Sequence, residues 1–227
     1  MKILAVETAT EACSAALFLD GEIRQRWQLA PREHTRLILP MMDALLAEAA
    51  LSVHDLDAVA FGRGPGSFTG VRIATGIIHG VALGADLPVL PVSTLAAMAQ
   101  ACFDEHPVAA AFTAMDARMG EIYWAVYRRN AQGLAELLGE EAVTLAGQVD
   151  FPEIEGYGIG SGWGVYGKQL QQRLQELAIH VDVEYLPGAA AVARLAAADF
   201  ASGLALPVEQ AMPVYLRDRV AKKESER

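Results

Sequence analysis

Cysteine is scarce in this chain. Cys13 and Cys102 are the only two, they lie far apart, and neither belongs to a C-x-x-C pattern, which leaves no cysteine zinc motif and no dithiol redox motif. Both are expected as small buried apolar residues. The five histidines, His34, His54, His79, His106 and His180, never stand three or four residues apart, so the helical metal signature is missing and no metal site is expected. No apolar run reaches the ~18 to 20 residues of a membrane span. The chain opens on a strand, without the basic region, apolar core and cleavage site of a secretory leader, so a cytoplasmic location and no membrane partner are expected. Positive charge is in deficit: 18 Lys and Arg against 28 Asp and Glu leave a formal charge of −10. Unaided grip on nucleic acid comes mainly from neutralising phosphates, so any contact with RNA would have to be shared with a partner.

What is present is apolar substance. With 227 residues, 53% of them hydrophobic, the chain can bury a real core as one large domain or two small ones. Its organising stretch runs from Asp57 to Gly84. An apolar strand ending at Phe61 feeds the turn Gly62-Arg63-Gly64-Pro65-Gly66, and a helix follows with Ile73, Ile77 and Val81 on one face. Ser67 or Thr69 offers the N-cap oxygen. A strand, a glycine-rich turn and a helix N-terminus together can hold an anion. Arg63, Gly64, Pro65, Gly66, Ser67, Thr69, Gly70 and Arg72 are therefore candidate anion contacts, although neither a Walker A loop nor a full dinucleotide fingerprint is completed. Further along the helix, Gly76, Gly80 and Gly84 recur every fourth residue. They share a face that either packs on the chain's own sheet or receives another subunit.

Before this stretch, "KILAVE", "CSAALFLD" and "EIRQRWQLA" read as three antiparallel strands, with Asp20-Gly21 turning the second hairpin. A helix over His34 to Ala50 carries the stripe Ile38, Met41, Met42, Leu45, Leu46 and Ala49, with Pro40 either kinking it or starting its regular part. After it come the strand "LPVLPV", a helix capped by Ser93 or Thr94, a boundary over Asp104 to Pro107, and the hairpin "VAAAFTAM" with "EIYWAVYRR". The remainder reads as a strand "AVTLA", the glycine-rich strand end "YGIGSGWGVYG", a helix Val165 to Ala178, a strand "HVDVEYL", a helix Ala189 to Ala201, and the extended end "MPVYLRD".

Placing Glu7 on Asp116 aligns the first hairpin with the second, with Ala15, Ala16 and Leu17 meeting Trp124, Ala125 and Val126. Two related α/β halves, each opening with a hairpin after an acidic residue, describe the actin-like (ASKHA) fold. The halves would span residues 1–105 and 106–216, with a charged flexible tail over 217–227. Glu7 and Asp116 would then be facing cleft carboxylates, able to orient water or magnesium in a phosphotransferase, or merely capping their own turns.

The segments "ILAVETATEACSAAL", "PREHTRLILPMMDALL", "AFGRGPGSFTGVRIATGI", "DARMGEIYWAVY" and "PVYLR" resemble the TsaB family, formerly YeaZ, of bacterial tRNA threonylcarbamoyladenosine biosynthesis proteins. The resemblance implies an actin-like subunit without catalysis of its own. It implies pairing with the paralogue TsaD, which carries the metal, and with the ATPase TsaE, so that ATP and metal sit on partner subunits and tRNA is met only indirectly. The positions matching two metal-binding histidines of TsaD are Thr94 and Met98, and Glu7 stands where the family usually has Asp. Family members associate through helices of the first half, with themselves or with TsaD, which implies an interface of Met41, Leu45, Ile73, Gly76, Ile77, Gly80 and Gly84. The other reading is an actin-like small-molecule kinase or ATPase using Glu7, Asp116 and the loop from Arg63 to Gly70.

Overall fold

The computed structural model describes residues 1–217, so the expected tail lies, beyond Arg217, outside the described residues. Strands β1 (Lys2–Glu7), β2 (Ala12–Leu19) and β3 (Glu22–Leu29) form an antiparallel meander. Next to β1 run β4 (Ala58–Gly62) and β5 (Val89–Val92), both parallel, giving the order β3-β2-β1-β4-β5. The second half repeats this plan with β6 (Ala110–Arg118), β7 (Glu121–Arg129), β8 (Ala135–Leu145), β9 (Gly156–Ile159) and β10 (Ala178–Asp182), in the order β10-β9-β6-β7-β8. Each strand of one sheet has a counterpart in the other. The two hairpins differ by one residue: Val6 pairs with Ala15, whereas Met115 pairs with Tyr123, so Ala15 corresponds to Tyr123 and not to the expected Trp124. A register shift between Asp116 and Arg118 absorbs the difference.

Period-two alternation decides what covers the first sheet. On one side Leu4, Val6, Leu17, Val59 and Phe61 meet α1 (His34–Glu48) and α2 (Phe68–Ala85). On the other, the small side chains of Ala5, Ala16, Ala58 and Ala60 let the alanine-rich α5 (Ala189–Ala201) lie close. Helix α3 (Thr94–Glu105) is shared: Ala97 faces α5, while Leu95, Met98 and Phe103 pack on the second sheet beside Ala111 and Tyr127. The far side of the second sheet buries Phe112, Trp124 and Val126 against Trp163 and Leu170 of α4 (Ser161–Leu174). Cys13 and Cys102 are buried and unpaired, and burial raises their thiols to about 11 and about 12.

Some elements differ from expectation. Helix α1 continues through Pro40 as one element from His34. Strand β8 is longer than "AVTLA" and begins at Ala135. Helix α4 spans Ser161 to Leu174 with a kink at Tyr166, where φ is −119° and ψ 18°, so a first turn precedes the expected start at Val165, and Ala178 belongs to β10. The glycines explain the early start: a Cβ at Gly162 would lie 2.9 Å from the backbone of Ala114, and one at Gly158 would strike the Trp163 ring at 2.5 Å. Gly162 lets the helix sit on β6 and Gly158 of β9 makes room for the Trp163 ring, so at Gly162 close approach outweighs poor helix propensity.

Candidate functional site

The turn after β4 is locked against the turn after β1. Ser67 N donates to Ala9 O at 2.7 Å, Thr8 Oγ1 donates to Gly70 O at 2.7 Å, and Ser67 Oγ caps α2 by accepting from Gly70 N at 3.4 Å. Two glycines are required by this contact. A Cβ would lie 2.6 Å from Ala9 O at Gly66 and 2.0 Å from Thr8 O at Gly70. Gly64 takes φ +94° and its peptide bond to Pro65 is cis.

The two arginines of the loop part company. Arg72 lays its guanidinium 3.2 Å over the Phe68 ring and 5.2 Å from the Tyr215 ring, whose centroid is 6.0 Å from that of Phe68. Arg63 is pinned by its backbone, donating to Val92 O at 2.7 Å and accepting from Val214 N at 2.9 Å, and its side chain enters a separate small cavity. The rest of the candidate loop, from Pro65 to Arg72, lines a cleft of about 1300 Å³ between the halves, opposite Met115, Asp116, Arg118 and Ser161.

The two carboxylates do not face each other across this cleft. Glu7 is 0% exposed, with Oε1 accepting from Ala9 N at 2.7 Å and Oε2 from Thr94 Oγ1 at 3.0 Å. Burial lifts its pKa to about 7 against these stabilising hydrogen bonds. Asp116 does line the cleft, but Oδ1 accepts from Arg118 N at 2.9 Å and Oδ2 pairs with the Arg118 guanidinium at 2.9 Å. Both acids thus close their own turns. At the positions matched to metal-binding histidines, Thr94 is committed to Glu7, and Met98 lies against Gly160 on the cleft floor. Among the described residues no three His, Cys, Asp or Glu side chains cluster as metal ligands.

A second surface runs along α1 and α2. Val71, Ala74, Ile78 and Ala82 of α2 enter the core, and the opposite side carries Gly76, Gly80 and Gly84, each with nothing within 4 Å of where a Cβ would be. Packing on the chain's own sheet is therefore not what these glycines do. Ile73, Ile77 and Met41 are half-buried at the margin, and Leu83 and Leu39 are 70% and 48% exposed. Leu45, expected on this surface, is only 1% exposed, because the stripe of α1 turns it toward the sheet. By length and composition alone α2 meets the measure of a membrane span, at 18 residues and mean hydropathy 1.3, although Arg72 and His79 interrupt its apolar run. One flank of it is nevertheless built into the core.

Sequence reasoning missed two groupings. The Phe68–Arg72–Tyr215 stack was half visible, since Phe68 and Arg72 stand four apart on a helix. The cavity around Arg63 draws on residues from distant segments and left no local signal.

A family model described as TsaD, tRNA N6-adenosine threonylcarbamoyltransferase, matches residues 28–224. The tRNA threonylcarbamoyladenosine biosynthesis protein TsaB of Escherichia coli K12 is 42% identical, over 99% of this chain and 98% of its own. The Haemophilus influenzae protein of the same description is 39% identical, over 99% and 97%. A solved structure described as YeaZ from Pseudomonas aeruginosa superposes with a TM-score of 0.87 at 41% identity, covering 95% of this chain and 99% of that one.

Proposed function

Because the chain belongs to the TsaB family and so has a role in tRNA threonylcarbamoyladenosine biosynthesis, we propose that it works there as a non-catalytic subunit. It binds a TsaD-type paralogue, which with a TsaE-type ATPase transfers threonylcarbamoyl to the adenosine after the anticodon. The observation that carries this reading is the open glycine face of α2: three glycines weaken the helix by about 1 kcal/mol each relative to alanine, and no contact among the described residues repays them. A helix of another subunit can approach such a face closely, and the exposed Leu83 on the same helix supplies apolar area beside it. When the chain is alone, a second copy is the alternative occupant.

ATP and metal belong, in this reading, to the partners. Thr94 and Met98 are poor substitutes for a pair of imidazoles, and Thr94 is already bonded to Glu7. The net charge of −10 favours indirect contact with tRNA. The kinase reading has less support, because it needs Glu7 to reach a ligand from a position sealed beneath the loop. Reconstitution tests the proposal. Purified chain, TsaD-type and TsaE-type proteins, tRNA, ATP and a threonylcarbamoyl donor should give modified adenosine, and omission of this chain should abolish it. Undiminished modification without it, or ATP turnover by this chain alone that falls in Asp116→Ala, would overturn the assignment.

A further inference from the structure

Apart from the cleft, a cavity of about 250 Å³ opens beside Leu137 where both halves meet α5. Five elements contribute polar side chains to it: Arg63 at the end of β4, Ser93 at the cap of α3, Tyr127 on β7, Glu141 on β8 and Asp199 on α5. Arg63 Nε is buried there without a hydrogen-bond partner, the one such side-chain nitrogen or oxygen among the described residues. Nε is one of five donors of a guanidinium that is always charged, and burying that N–H without an acceptor is costly. Glu141 does not serve it: its carboxylate accepts from Tyr127 Oη at 2.5 Å, and Ser93 Oγ lies 3.4 Å from the same hydroxyl.

The charges decide what fits. A lone anion would satisfy Arg63 and add a third negative group beside Glu141 and Asp199. A lone cation would suit the carboxylates and leave Arg63 as it is. A single water would fill a small part of the space, since water takes roughly 30 Å³ in the liquid. A small molecule bearing both charges meets all three groups at once.

We propose that this cavity binds a free α-amino acid, its carboxylate on the Arg63 guanidinium and its ammonium group toward Glu141 and Asp199. Arginine suits the first contact because its planar fork can hold both carboxylate oxygens. The bound molecule links the first sheet, the second sheet and α5, so it stabilises the folded chain by mass action.

The test is thermal unfolding of the full chain with each common amino acid at millimolar concentration, followed by calorimetric titration of any that raises the midpoint. Acetate and methylammonium serve as single-charge controls. At least one amino acid should raise the midpoint with saturation while neither control does, and Arg63→Gln and Asp199→Asn should each weaken its binding at least ~10-fold. Asp199→Asn keeps the side-chain volume and covers the case in which Arg63→Gln unfolds. Absence of binding by every amino acid, equal stabilisation by acetate, or unchanged affinity in a folded Arg63→Gln or Asp199→Asn would each overturn the proposal.

Discussion

A carboxyl group sealed beneath the turn after β4 holds its proton more tightly than one in water. The pKa of Glu7 is raised from 4.5 to about 7. Between those values the folded chain keeps a proton that the unfolded chain has lost, so stability falls as pH rises through this window and levels off above it. The difference amounts to about 3 kcal/mol at 1.36 kcal/mol per unit. In Glu7→Gln this component should vanish. Denaturant titrations at pH 5 and pH 8 should show the wild type losing about 2.5 kcal/mol more than the variant, and parallel curves would place the ionisation elsewhere. Two glycines of α2 give a second contrast at this scale. Gly70→Ala drives a Cβ to 2.0 Å from the Thr8 carbonyl oxygen and should cost about 2–3 kcal/mol through backbone displacement. Gly76→Ala meets nothing within 4 Å and should stabilise the isolated chain by up to about 1 kcal/mol. Chemical denaturation of the two variants should give opposite signs.

At the scale of elements, the sequence carried the strand, turn and helix around Gly62 to Ala85 clearly, because apolar period, glycine spacing and the Ser67 cap agree with one another there. It carried α4 poorly. Gly160, Gly162 and Gly164 read as loop by local preference, and only the packing of Gly162 on Ala114 of β6 and of Gly164 on Val183 shows why a helix starts there, directly after Gly160 at φ +103°. The site divided in the same way: the loop from Pro65 to Arg72 was legible as a unit, but the destination of the Arg63 side chain depends on four other elements and had no local trace. The α2 face also yields an element-scale prediction. Gly80→Leu places a large side chain on an open surface, so the isolated variant should fold with an unchanged melting midpoint or a slightly higher one. It should fail to co-purify with a TsaD-type partner. Retained co-purification would move the interface off this helix.

For the whole molecule, the repeat of strand order suggests two halves, yet the cover of the first sheet is not contained in the first half. Helix α5 lies at residues 189–201 and buries Ile3, Ala5, Ala16, Ala58, Ala60 and Leu90. The segment after it stays on the same body, with Leu206 paired to Val89, Ala211 O bonded to His79 Nε2 at 2.7 Å, and Val214 bonded to Arg63. Arg217 then reaches the second half and pairs with Glu121 at 2.5 Å. A fragment 1–105 would keep α1 and α2 on one side of the sheet and expose a continuous apolar face on the other, a surface that a soluble domain does not leave bare. It should therefore be aggregated or molten. Fusing residues 186–217 to its end through a flexible linker should restore cooperative unfolding, because the lost face regains its helix. Circular dichroism melts of the two fragments distinguish the outcomes: a sharp transition in 1–105 alone would mean that the first sheet is stable without α5, and that the two halves are independent units after all.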